Sequence, residues 1–178
     1  MDKAQALPKD YSPGDLVSLD GKGLSVSREG HRLRKSALEA LRAMDAEARK
    51  EGVTLLVSSS YRSYEYQVGL FARNVQELGQ AKAAMESAAP GHSQHQLGTA
   101  VDFGSISDDF AETKASHWLS ANARRFGFSL SYPEGMTATT GYKWESWHYR
   151  YIGKAAAALE GEYFSGVQQY LLLFLEKI

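Results

Sequence analysis

Ser93-Gln94-His95-Gln96-Leu97-Gly98-Thr99-Ala100-Val101-Asp102 and, further along, Glu145-Ser146-Trp147-His148 decide how this chain is read. The two segments concentrate two imidazoles and two carboxylates. Zinc favours such ligands, and its catalytic sites use three protein ligands with one position left open. His95, Asp102 and His148 fill that quota. Glu145 is then left as the base for a water whose pKa the ion lowers to about 7. Taken singly, each of these residues also fits an ordinary role: a partly buried histidine, or an aspartate capping the helix that follows. Together they point to a metal-dependent hydrolase.

A histidine seven residues before an aspartate reaches the same ion if the chain turns between them and then runs straight, and Gly98 permits that turn. Glu145 and His148 are three apart, which places them on opposite faces of a regular strand and on one face of a helical turn. A bulge or irregular strand start is therefore expected over 145–147, with Trp147 pointing into the core.

Working outward, the apolar positions Leu38, Leu41, Met44 and Ala48 predict a helix from Lys35 to Gly52, followed by a strand at 53–59. A second amphipathic helix is expected over 64–78 on Val68, Phe71, Val75 and Leu78, with Tyr61, Tyr64 and Tyr66 packing its start. Residues 80–91 read as a connecting loop and 98–103 as a strand. A third helix is expected from Ser116 to Gly127, then a strand at 128–132, a polar loop at 134–141 and a strand at 147–152. Val167, Tyr170, Leu171, Phe174 and Ile178 form the inward stripe of a closing helix. His31 and His117 read as surface residues, His92 as a loop residue, and Trp144 with Trp147 as core. The order of elements predicts an α+β fold with a small, mainly antiparallel sheet flanked by helices.

A chain of 178 residues suits one domain, with residues 1–30 as an extended arm turned at Pro13-Gly14 and Gly21-Lys22-Gly23. The balance of 20 Lys+Arg against 21 Asp+Glu offers no basic field for a nucleic acid. With no cysteine there are no disulfides or thiolate ligands, and any metal falls to histidine and carboxylates. The longest apolar run, 171–175, is far below the roughly 18 residues of a membrane span. No secretory signal is evident at the N-terminus, so the expected location is the cytoplasm, or the cell envelope if a leader has been cut away.

The same two segments resemble the paired signature of the VanY-type D-alanyl-D-alanine carboxypeptidases, within the wider group that includes lysostaphin-type peptidases and the hedgehog signalling domain. The resemblance continues through residues 60–67, Trp118-Leu119 to Asn122, Gly127-Phe128, Tyr132-Pro133 and Thr140-Gly141-Tyr142, and covers roughly 7–153. It implies a hedgehog/D-Ala-D-Ala-peptidase-like fold, Zn2+ held by His95, Asp102 and His148, and Glu145 as catalytic base. It also implies that Arg62 holds substrate near the scissile bond, gripping either its terminal carboxylate or the oxyanion, with Gln67, Ser93 and Tyr142 lining the same pocket. Gln94 departs from the Glu common in relatives, and Leu97 from Thr. The implied substrates are peptidoglycan stem peptides, cut by a monomer as a D,D-carboxypeptidase. The alternatives are an L,D-carboxypeptidase acting on tetrapeptide stems with the same machinery and a catalytically silent zinc-containing binding module.

Overall fold

The computed structural model describes residues 3–177. In chain order the strands are β1 Leu16–Ser18, β2 Ser25–Val26, β3 Arg32–Arg34, β4 Leu56–Ser59, β5 Ala100–Phe103, β6 Phe128–Leu130 and β7 His148–Tyr151. The helices are α1 Lys35–Lys50, α2 Tyr64–Leu78, α3 Gln80–Glu86, α4 Lys114–Asn122, α5 Thr137–Thr140, α6 Lys154–Tyr163 and α7 Gln168–Leu175. Five strands form one sheet in the order β2-β4-β5-β7-β6, antiparallel except for the β2–β4 pair. β1 and β3 form a separate antiparallel pair. This is the expected α+β arrangement.

The sheet's central strands explain themselves. Ala100, Val101, Asp102 and Phe103 are all buried, so β5 is covered on both faces, and Val101 and Phe103 join the core built on α1 through Leu38, Leu41, Met44 and Ala48. At roughly 1.5–3 kcal/mol per large apolar side chain removed from water, this cluster fixes the register of β5 against its neighbours. Asp102 points away from that core, which is why a carboxylate survives in a buried strand. The N-terminal arm has the expected turns, and it carries three residues of β1 and two of β2, the latter an edge strand of the main sheet.

Several expectations need correction. Residues 80–91 are not simply a loop: Gln80-Ala81-Lys82-Ala83-Ala84-Met85-Glu86 forms α3, as its alanine content favours, and buries Ala83 completely. Within the polar 134–141 stretch lies the short α5. An unexpected helix, α6, follows β7, anchored by Ala157 and by the buried Glu160, which accepts from Ser129 Oγ at 2.5 Å and Arg124 Nε at 3.4 Å. The third helix begins at Lys114, capped by Thr113, whose Oγ1 accepts from Ser116 N at 3.1 Å, and it continues as the 3-10 turn Ala123–Phe126.

α2 is the largest departure from the expected packing. Its one buried residue is Gln67, while Val68 is 44% and Tyr66 49% exposed. The helix lies against α3 rather than on the sheet, so its apolar stripe is only partly covered. On α7, Val167 and Leu171 face inward, but Tyr170 and Phe174 are exposed; Ile178 lies outside the described residues. Trp144 is only half-buried. His31 is not a surface residue: it is buried with Nδ1 3.0 Å from Ser60 Oγ and Nε2 3.4 Å from Ser27 Oγ. Among the described residues no helix is long and apolar enough to cross a membrane.

Candidate metal centre

Three short backbone devices deliver the polar residues to one spot. Ser93 Oγ accepts from His95 N at 3.3 Å and opens the 3-10 turn Gln94–Leu97; Gly98 closes it in the left-handed region at φ 70°. A side chain at Gly98 would be strained at this φ and would also have to displace the Leu16 Cδ2 methyl, which it would meet at 2.8 Å. The chain then enters β5, where Asp102 stands in register with His148 of β7. A tight turn, with His148 N donating to Glu145 O at 3.3 Å, precedes β7. That turn puts Glu145 and His148 on one side and sends Trp147 into the core, where it is 4% exposed.

The resulting donor set is close-packed. His95 Nε2 lies 3.1 Å from Asp102 Oδ2, His148 Nδ1 2.9 Å from Asp102 Oδ1, and Glu145 Oε2 3.6 Å from His148 Nδ1. One ligand atom from each of His95, Asp102 and His148 fits within 4.8 Å of the others. Each imidazole is oriented from behind. His95 Nδ1 contacts Ser60 O at 2.7 Å, so it must carry the hydrogen and leave Nε2 as a lone pair facing the cluster. His148 Nε2 contacts Gln94 Oε1 at 3.2 Å, which leaves Nδ1 in the same role. Its ring also packs on Tyr132, centroids 4.8 Å apart.

Charge agrees with geometry. Burial, aided by Arg62, pushes His95 down to about 4, so it is neutral at physiological pH. Burial opposes ionisation of Asp102, but the two imidazoles outweigh it and hold the carboxyl well below its usual range. Asp102 Oδ1 is buried and, although close to His148, has no partner in hydrogen-bond geometry. An orphaned carboxylate oxygen beside one ring nitrogen, with a second ring nitrogen at the carboxylate's other oxygen, is the arrangement a divalent cation completes. The residues fit zinc.

Around this cluster opens a cleft of about 210 Å³ whose lining includes every residue singled out from the sequence: Arg62, Gln67, Ser93, Tyr142 and Glu145 beside the three candidate ligands. Arg62 is held at the end of β4, Nε donating to Ser59 Oγ at 3.0 Å and Nη2 to Asp102 Oδ2 at 2.8 Å. Gln67 is buried, donating to Ala88 O at 2.7 Å, with Oε1 unpartnered. Tyr142 is buried against Tyr132, centroids 4.7 Å apart. Burial pushes the Glu145 carboxyl up to about 7, with help from Asp102 and against the pull of His148. Ser60, Tyr132 and Gln94 support the cluster through contacts between distant segments, which no local sequence pattern reveals.

Residues 30–154 match the family described as VanY, D-alanyl-D-alanine carboxypeptidase. The chain is 38% identical over 164 residues to the putative carboxypeptidase YodJ of Bacillus subtilis (strain 168); the match covers 88% of this chain and 60% of that protein. It therefore spans less than two thirds of that relative's length. Among solved structures, the LdcB LD-carboxypeptidase, whose structure concerns peptidoglycan recognition, superposes with a TM-score of 0.83 at 36% identity over 94% of this chain and 85% of that one. A mutant of the vancomycin-resistance D,D-pentapeptidase VanY, solved in complex with Zn(II), gives 0.79 at 32% identity over 97% and 96%. The agreement runs the length of the matched stretch, and the chain belongs to the VanY family of D-alanyl-D-alanine carboxypeptidases.

Proposed function

We propose that the chain is a zinc-dependent D,D-carboxypeptidase that removes the terminal D-alanine from peptidoglycan stem peptides, with its work in the cell envelope. The observation that carries this reading is the convergence of His95, Asp102 and His148 on one point, with Glu145 3.6 Å from His148 at the floor of an open cleft. Zinc bound there supplies Lewis acidity to the scissile carbonyl and lowers the pKa of water in its open position.

The protein's own groups do the rest. With its carboxyl raised to about 7, Glu145 is poised to take a proton from the attacking water and return it to the leaving amine, since a general base works best when its pKa lies near the working pH. Arg62 uses two of its donors on Ser59 and Asp102 and keeps others for substrate. A guanidinium fork suits the free terminal carboxylate that a carboxypeptidase must recognise. Tyr142 and Tyr132 wall the cleft with apolar surface, and the buried Gln67 lines it.

Incubation with defined pentapeptide and tetrapeptide stems, followed by mass measurement of the products, tests the reading. Loss of one alanine from the pentapeptide is expected. The likeness to LdcB favours a second reading, L,D-cleavage of the tetrapeptide by the same residues. Release from neither substrate by zinc-loaded protein rejects both and leaves the silent binding module.

A further inference from the structure

Behind His148 lies a buried polar chain that reaches a part of the protein beyond the matched 30–154 stretch. Gln94 Oε1 receives His148 Nε2 at 3.2 Å and Ser131 Oγ at 2.7 Å. The other end of the same amide, Gln94 Nε2, donates to Gln168 Oε1 at 3.3 Å, and that oxygen also accepts from Arg150 Nη1 at 3.4 Å. Gln168 Nε2 completes the group by donating to Ser131 Oγ at 3.5 Å. Gln94, Ser131 and Gln168 are 2–5% exposed, so water does not substitute for these bonds. Gln168 is the first residue of α7; Arg150 is two residues after His148 on β7 and shares its side of the strand.

The chain has a direction. A primary amide has one donating end and one accepting end, and nothing in Gln94 alone decides which of them meets His148. Arg150 decides it. A guanidinium only donates, so the end of Gln168 that meets Arg150 must be its carbonyl; that carbonyl demands the NH2 end of Gln94, and the carbonyl of Gln94 is thereby turned to His148. His148 must then carry its hydrogen on Nε2, and its Nδ1 lone pair faces Asp102 and Glu145. Were Gln94 reversed, two donors would oppose each other at the imidazole and the hydrogen would move to Nδ1, where a metal could no longer be held. A glutamate at position 94 would need no such instruction, because both of its oxygens accept.

We propose that Gln168 is a positioning residue for the metal centre: with Arg150 it fixes the orientation of the Gln94 amide, and through it the tautomer in which His148 binds zinc. α7 is thereby part of the catalytic unit. The inference rests on the zinc reading of the site. Outer partners of metal-bound histidines typically contribute about 10–100-fold in metal affinity.

The test is zinc affinity, measured by competition with a chromophoric chelator on the full chain, with the thermal midpoint at saturating zinc as a check on folding. Gln168→Met, close in shape and only a weak acceptor, is expected to weaken zinc at least tenfold (about 1.4 kcal/mol). Gln168→Glu keeps an acceptor for both Arg150 and Gln94, gives up only the long 3.5 Å donation to Ser131 Oγ, and is expected to stay within threefold of wild type. The decisive arm is Gln94→Glu: in that background Gln168→Met is expected to change affinity by less than threefold, because the acceptor no longer needs orienting. An equal loss in both backgrounds means Gln168 acts only through packing and overturns the proposal, as does a Gln168→Met protein that binds zinc normally. If Gln168→Met is not recovered folded, Gln168→Glu carries the test alone: retention within threefold supports the relay and a greater loss overturns it. A wild-type protein that binds no zinc overturns the site reading itself, and the relay with it.

Discussion

Asp102 and His148 stand directly opposite one another in the β5–β7 ladder, with Oδ1 and Nδ1 2.9 Å apart. Register, a property of two whole strands, thus sets the spacing of two candidate ligands. A one-residue slip would carry one of the two to the other face of the sheet, and the buried Val101–Tyr149 neighbours hold it in place. Removing the carboxylate by Asp102→Ala should abolish high-affinity zinc binding and leave the two imidazoles beside an Arg62 that has lost its carboxylate partner. Elemental analysis after gel filtration should show less than a tenth of the wild-type zinc; retention near one equivalent would contradict the ligand assignment.

Glu145→Gln separates base from ligand. The amide keeps the shape and cannot take a proton, so kcat should fall by about 10²–10⁴ while bound zinc stays near one equivalent. D-alanine release and metal content, measured on the same sample, check this. A variant that keeps its rate shows that another group moves the proton.

The sequence carried the site more fully than the scaffold. Residue type and spacing were enough to gather His95, Asp102, Glu145 and His148, because Gly98 and the three-residue step before His148 constrain the local backbone strongly. The turn before β7 and the inward Trp147 followed from the same reasoning. What escaped depends on contacts between distant segments. His31 is buried by a partner, Ser60, that no local pattern connects to it. α2 has helical periodicity, yet periodicity does not say whether a sheet or a small helix will cover the stripe. α3 and α6 are rich in alanine, which local composition alone assigns poorly between a loop of small residues and a tightly packed helix.

Gly98→Ala should be costly in proportion to its place in the site. A Cβ there meets Leu16 at 2.8 Å and Arg34 Cγ at 3.0 Å, and the residue needs φ 70°. Left-handed strain, with the Leu16 methyl shifting aside, predicts about 1–2 kcal/mol of lost stability. Urea unfolding of the metal-free protein measures it; a loss below about 0.5 kcal/mol would mean the turn reforms without strain.

Acid should destabilise the metal-free protein, and the sign follows from three groups. Burial holds His31 and His95 below the ordinary histidine value, so the unfolded chain takes up their protons near pH 6.5 before the native state does. Their contribution is full above pH 6.5 and is lost as pH falls, at up to about 1.4 kcal/mol per pH unit for each. Glu145, raised to about 7, works the other way, because the native state binds its proton first. Between about pH 6.5 and 4.5 His95 and Glu145 largely offset one another, so the net destabilisation on acidification comes from His31. The urea midpoint in chelator should drop across that range. His31→Asn should flatten the dependence, because His95 and Glu145 then oppose each other. A midpoint that rises on acidification would refute this balance.

Arg62 offers the sharpest view of substrate recognition. Its Nη2 on Asp102 and Nε on Ser59 hold the guanidinium at the cleft wall, beside the candidate metal centre, and these two bonds do not use the fork's remaining donors. If those donors grip the terminal carboxylate, a lysine at 62 supplies the charge without the two parallel bonds. Peptides ending in D-alanine and in D-alaninamide then distinguish the two roles left open by the sequence. Wild type should prefer the free acid by about 10²-fold or more in kcat/KM, the loss expected when buried charge-assisted bonds go unmade. Arg62→Lys should shrink that ratio at least tenfold, chiefly through the acid. A variant in which both substrates slow equally, leaving the ratio intact, would assign Arg62 to the oxyanion instead, because the developing negative oxygen is common to acid and amide.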